Sequence, residues 1–351
     1  MRKLKGRSSF CVDIVVIHNM HFTKTHKTTP DLVAILQSRG LVVTDVPKAI
    51  ECIERIGYYR LSGYWYSLRI KVDQKDPSGK IVAVAMDDFR PGSEFRHIID
   101  LYVFDKNLRL LILDGIERVE IGLRSSIAEL IGQQDPLGYR DPNYLSGKFA
   151  KAIDSKTGQT PHQEWLKKFD DTFARSQEEF AKHFRIKYPQ NNPPIWVATG
   201  LWDFGMLSKF YAGMAYKDRV HLAQQYGLSA PNMLEAWLKA INLVRNICAH
   251  HGRLWNRALV RQGAFPPKGD IPMLDHLYGN TRAQTRIYGT AAAIRFMLLK
   301  INPATKWPTR LKDLLATFPQ APGISLSQSG FPPGWDVLPL WAVPTNNNNG
   351  T

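Results

Sequence analysis

Cysteine is scarce. Cys11, Cys52 and Cys248 are scattered through 351 residues, an odd number with no CxxC pair. That excludes a disulfide framework and the usual zinc-site spacings, and reads as reduced thiols in a cytoplasmic protein. Long apolar runs are missing too: none approaches the roughly 18 residues of a membrane span. The stretch FCVDIVVI after Lys3, Lys5 and Arg7 is broken by Asp13 and is too short for a secretory signal. Acids are the third shortage. Asp and Glu number 31 against 46 Lys and Arg, leaving a formal charge of +15. A surface of that sign attracts polyanions, nucleic acid first among them. No basic amphipathic helix with a Trp/Leu face stands alone, so no membrane partner is expected.

What the chain does contain is helical periodicity. LVAILQSRG after Pro30 reads as a helix closed by Gly40, and VPKAIECIERIGYYRLSGYWYSL as helix with a break near Gly57 or Gly63. KVDQKDPSGKIVAVAM has β-branched residues on both sides of Asp76-Pro77-Ser78-Gly79 and reads as a hairpin or a loop excursion. Pro91-Gly92 stops the chain, and Ser93 is placed to cap a long helix from Phe95 to about Gln133. PHQEWLKKFDDTFARSQEEFAKHF reads as one charged amphipathic helix, and NNPPIWVATGLWDFGMLSKFYAGM as two short helices around Gly200. Further helices are expected over 217–226, 230–250, 281–300 and 306–318. The sum is an all-α protein with one small β excursion. Residues 1–27 read as a basic extension outside the fold, with Met20 as an alternative start, and 303–351 as a C-terminal helix and a low-complexity tail ending NNNNGT.

The densest chemistry is LVRNICAHHGRLWNR, Leu243 to Arg257. Leu234, Trp237, Leu238, Ile241, Val244 and Cys248 keep helical spacing and form a buried stripe. Asn242, Asn246 and His250 step by four and share another face. Arg245 and His250 lie about 140° apart around an ideal helix, yet a long arginine can bend toward an anion that the histidine also touches. Gly252 offers a left-handed cap. Histidine is the side chain that exchanges protons near neutrality, and arginine grips phosphate oxygens in two places. With Asn246 to orient them, Arg245 and His250 suit RNA cleavage without a metal. A base takes the 2′-hydroxyl proton, an acid protonates the leaving oxygen and a cation stabilises the phosphorane. One histidine is thin for both proton jobs. A second copy of the chain would complete the site, which predicts a homodimer.

An Arg and a His at this spacing are by themselves a weak signal, as the decoy pair Arg90 and His97 shows. The surroundings are more specific. RNICAHHGRLWNR, IGYYRLSGYW (Ile56–Trp65), FRPGSEFRHIIDLYVFDKNLRLLILDGIERVEIGLRSSIA (Phe89–Ala128) and PPIWVATGLWDFGMLSKFY (Pro193–Tyr211) resemble, in order, the blocks of the Abi-like abortive-infection family, the AbiD/AbiF group of the HEPN superfamily. The resemblance spans roughly residues 31–300. It implies a HEPN-type helical bundle over 28–302, with an N-terminal helical part to residue 90 and the core over 91–302. It also implies an Arg-x4-6-His catalytic motif that falls on Arg245 and His250, with Asn246 beside the arginine. His251, Arg253 and Asn256 belong to the same block in supporting roles.

Three further features stand out. Glu120 and Arg124 are spaced for an ion pair on the long helix, which is expected to pack beside the motif helix. Arg60, among Tyr58, Tyr59, Tyr64, Trp65 and Tyr66, is expected to be exposed and, with Arg257, to contact RNA. Cys248, His250 and His251 lack a fourth ligand at a usual spacing, so no metal and no cofactor is expected. The expected function is a metal-independent endoribonuclease of an antiviral abortive-infection system, a growth-stopping toxin acting on single-stranded RNA. The alternative is an RNA-binding protein that holds one small non-coding RNA and grips phosphate with the same motif.

Overall fold

The computed structural model describes residues 25–260 and 263–342. The basic stretch ahead of residue 25 and the polar tail from 343 lie outside the described residues. Helices α1 (Thr29–Ser38) and α2 (Val46–Ile56) lead into α3 (Tyr58–Trp65). The break falls at Gly57, whose φ of 97° suits glycine and few other residues. An antiparallel hairpin follows, β1 (Arg69–Lys75) and β2 (Ile81–Phe89). Its turn is held by the Asp76 carboxylate, which accepts from the N–H groups of Ser78 and Lys80, each at 2.9 Å. The all-α reading with one small hairpin therefore stands.

The spine is α4 (Phe95–Gly132), 38 residues and about 57 Å long at 1.5 Å per residue. Ser93 does not cap it. That residue sits one position further out, buried, with its hydroxyl 3.5 Å from the Leu68 carbonyl. A parallel bridge between Val42 and Glu94 sets the entry instead. Val42 accepts from the Phe95 N–H, and the Glu94 N–H donates to the His97 ring.

The remaining helices are α5 (Gly147–Ala150), α6 (Pro161–Arg175), α7 (Glu179–Lys187), α8 (Ile195–Ala198), α9 (Phe204–Gly213) and α10 (Tyr216–Gln225). Then come α11 (Pro231–Ala249), α12 (Thr281–Gln284), α13 (Ile287–Ile301) and α14 (Trp307–Ala316). Two expected helices are broken. The charged stretch from Pro161 splits into α6 and α7 because Arg185 turns back and donates to the carbonyls of Phe173 and, at 2.7 Å, Ser176, satisfying the end of α6. The expected helix 281–300 splits into α12 and α13 at Arg286, where the chain runs extended and the Thr285 carbonyl accepts from the Leu259 N–H at 2.9 Å.

α4 touches α3, α8, α9, α10, α11, α13 and α14. Most of its apolar positions between Ile98 and Ile131 are buried on the side these helices cover, while Val103, Leu110 and Ile121 are exposed. Two glycines let neighbours come close. A Cβ at Gly115 would stand 2.8 Å from the Trp307 ring, and one at Gly122 3.0 Å from Ile301. The Trp307 indole N–H donates to the Leu111 carbonyl of α4 at 2.8 Å. Trp307, Leu311, Trp335, Leu340 and Trp341 all belong to the same core as α4 and α11. The closing segment is tied down by Arg295, itself buried, which donates to the carbonyls of Leu340 and Ala342 at 3.0 Å each.

Candidate functional site

α11 is apolar for most of its length. Leu234, Trp237, Leu238, Ile241, Val244 and Cys248 are buried in a continuous stripe against α4, α9 and α13. Burial pushes the Cys248 thiol up to about 12, so it does not ionise near neutrality. The last two turns change character. Arg245 is half-buried, and Asn246 and His250 are exposed.

The helix closes with two reverse hydrogen bonds. The N–H of Gly252 donates to Ile247 at 2.8 Å and that of His251 to Cys248 at 3.0 Å. The left-handed residue is His251, with φ 58°, and not Gly252 as its glycine suggested. The register of the following loop explains this, because that loop is gripped from behind. The fully buried Asp105 carboxylate on α4 accepts from the N–H groups of Trp255 (2.6 Å) and Leu254 (3.1 Å). It also accepts from the Tyr64 hydroxyl (2.8 Å) and the Arg109 guanidinium (2.6 Å). Burial first, and Asp105 second, push the Tyr64 hydroxyl well above its ordinary range.

The rest of the block completes this anchorage. Arg253 donates to the Gly63 carbonyl, and burial holds its pKa below the arginine norm. Asn256, also left-handed at φ 53°, reaches Ser67 at 3.4 Å and accepts from Arg286 at 3.1 Å through its carbonyl. Arg60 is exposed, as expected, but it is not idle. It donates to the His251 carbonyl at 2.6 Å and lies 5.8 Å from the centre of the Tyr102 ring.

On the other side of α11, Arg245, Asn242 and Asn246 face a cleft of about 890 Å³ between α11, α6 and α9, within the about 300–1,000 Å³ of small-ligand sites. Its walls are rich in cations. Lys168 pairs with Asp203 at 2.5 Å, and Arg219 and Lys239 share Glu235 at 2.7 and 2.5 Å. Burial works to raise the Asp203 carboxyl, but Lys168, the Met206 N–H and Arg245 together hold it below the ordinary range. Lys148, Lys209 and Arg245 have no carboxylate within 4.0 Å among the described residues. The Arg245 guanidinium donates instead to Asn246 at 3.4 Å.

Arg245 also borders a shallow groove against α4, beside Glu120, Glu117 and Asp114. Glu120 and Arg124 form the expected ion pair, and Arg124 donates as well to the Trp202 carbonyl. Burial raises the Glu120 carboxyl above its ordinary range, against the attraction of Arg124 and Arg245.

Arg245, Asn246 and Glu120 are thus brought to one region, with His250 and His251 at the end of the same helix. Arg253 and Arg124 donate to main-chain carbonyls, Asn256 reaches the Ser67 side chain, and the cleft does not reach His250, His251 or Arg257. Sequence reasoning missed Asp105, Arg109 and Tyr64 as the grip on the loop. The available signal was the four-residue spacing of Asp105 and Arg109, the same as that of Glu120 and Arg124. Among the described residues no three His, Cys, Asp or Glu side chains gather to hold a metal ion. No helix there is long and apolar enough to cross a membrane.

Fold and site together define an α-helical protein with a cation-lined cleft along the polar side of α11. The model of the Abi-like protein family matches residues 51–256, more than half of the chain and all of the block from Arg245 to Asn256. The chain belongs to the Abi-like, abortive-infection-type family. Neither a curated protein nor a solved structure matches it.

Proposed function

We propose that this chain is a cytoplasmic, metal-independent endoribonuclease of the HEPN type, which cuts single-stranded RNA to arrest growth during phage infection. One observation carries the reading. One stripe of α11 is buried, while Arg245, which has no carboxylate within 4.0 Å among the described residues, and Asn246 line an open cationic cleft, with the exposed His250 at the helix end outside that lining. An arginine that faces a cleft without a carboxylate partner keeps its donors available to a phosphate. Arg245 would hold the phosphate and stabilise the charge of the phosphorane. His250 would exchange the proton, and Asn246 would orient the group being transferred.

One His250 supplies one proton position, so a second copy is proposed to supply the other. Val103, Leu110 and Ile121 favour this arrangement. They lie on one line of α4, all substantially exposed, and Leu110 borders the same groove as Arg245. An apolar line beside a half-complete site suits a symmetric partner. A second reading is an RNA-binding protein that holds one small non-coding RNA. The cationic cleft favours binding as much as cutting.

The test uses His250→Ala. Cleavage of single-stranded RNA should fall about 10²–10⁴-fold, the usual contribution of a general acid or base, with melting unchanged because the side chain is exposed. Undiminished cleavage would remove the mechanism. RNA recovered with the purified variant separates the two readings: one discrete species favours the holding role, and a mixture favours a general nuclease.

A further inference from the structure

The loop that follows α11 carries a second cationic surface, distinct from the cleft. Arg60, Arg253 and Arg286 donate to the carbonyls of His251, Gly63 and Asn256. Arg282 donates to the Ser327 carbonyl at 3.0 Å. Arg257 is exposed and closes over Gly252, where a Cβ would stand 3.4 Å from its guanidinium. None of these five arginines has a carboxylate within 4.0 Å among the described residues.

The choice of anchor matters. A carboxylate fixes an arginine and cancels its charge. A main-chain carbonyl fixes it and leaves the charge intact. A guanidinium has five N–H donors in one plane. For Arg60, Arg253, Arg282 and Arg286, spending one on a carbonyl leaves the others free for a phosphate. The charges also feel one another. Burial first, then the neighbouring Arg282 and Arg253, depress the pKa of Arg286. Arg253 feels the buried Asp105 as well as Arg257, but the charges acting on Arg286 are both arginines, a self-repulsion that an anion would relieve.

We propose that this arginine cluster is a docking site for consecutive phosphates of an RNA strand, which holds the strand in register so that one phosphate reaches Arg245 and His250. The proposal rests on the reading above that RNA is the substrate. It adds a place where the strand is held without being read, since phosphate contacts position and base contacts specify. Arg282 lies beyond the residues matched by the family and carries part of that grip.

The test compares two full-length proteins, His250→Ala alone and His250→Ala with Arg257→Gln and Arg282→Gln. Both arginines are exposed, so the triple variant should melt like its parent. A short fluorescent oligouridylate is titrated by anisotropy over a range of salt. For single strands the logarithm of affinity falls with the logarithm of salt by about 0.7 per phosphate neutralised. Losing two contacts should make that slope shallower by about 1.4, and Arg257→Lys with Arg282→Lys should restore most of it. An unchanged slope and affinity in the glutamine variant overturns the docking site while leaving the nuclease reading untouched. If His250→Ala binds no RNA but the parent still cuts it, the docking site also falls. If the parent neither binds nor cuts RNA, both readings fall together.

Discussion

α4 carries the same local device twice. Asp105 and Arg109 form an acid–arginine pair one turn apart, and so do Glu120 and Arg124. Their surroundings give them opposite characters. The Asp105 and Arg109 side chains are 0% and 5% exposed, and Asp105 is saturated by two loop N–H groups and the Tyr64 hydroxyl in addition to its arginine. Glu120 and Arg124 are 17% and 26% exposed, and the Glu120 carboxyl is destabilised by burial beside Arg245. A buried charge is tolerable where donors surround it and costly where they do not. The first pair therefore fixes the shape of the site. The second lends negative potential to a groove where Arg245 is otherwise unpaired.

The strongest way to break this comparison is Asp105→Ala. It strands the Arg109 charge and two loop N–H groups, and should cost about 3–5 kcal/mol, the usual penalty for halving a buried pair. Urea unfolding measures it. A loss no greater than that of Glu120→Ala would erase the distinction.

A smaller effect, with a sign, belongs to Glu120→Gln. A folded-state pKa raised above the unfolded one means that the native protein binds this proton more tightly. The parent then loses stability as pH rises from the ordinary glutamate range near about 4.3 through the raised value. Glutamine has no such loss. The stability of Glu120→Gln relative to the parent should rise between about pH 4 and neutrality. Thermal unfolding across that range checks it, and a flat or falling difference would refute the assignment.

The smallest effect is that of His251→Gly. His251 holds φ 58° because the loop beyond it is gripped. Glycine adopts that conformation freely, so the exchange should stabilise the fold by about 1 kcal/mol or less. A clear destabilisation would mean that the imidazole itself, and not the Asp105 grip, maintains the turn.

Periodicity made most of the helices legible, because burial of one face leaves its mark every three or four residues. The stripe of α11 and the run of α4 were readable for that reason. What periodicity does not carry is where a helix yields to a tertiary partner. Arg185 folding back on Phe173, the extended Arg286 and the bridge of Val42 to Glu94 are long-range events that local sequence does not announce. Arg245, Asn246 and His250 were legible as polar residues ending an apolar helix, and of these Arg245 and Asn246 line the cleft. The importance of Asp105 was not. An Asp four residues before an Arg reads like any solvated pair until the loop from 150 residues later is laid against it.

α4 is also a clock. Trp307 covers the groove at Gly115 and bonds the carbonyl of Leu111, 196 residues earlier in the chain. At about 5–20 residues per second, a ribosome takes roughly 10–40 s to deliver that tryptophan after the helix has been made. The block from Arg245 to His250 leaves the ribosome during this interval, on a helix whose partner α13 does not yet exist. The casing of the site is therefore finished late. The chain's own translation thus sets a delay between making the Arg245 to His250 segment and closing the core around α4.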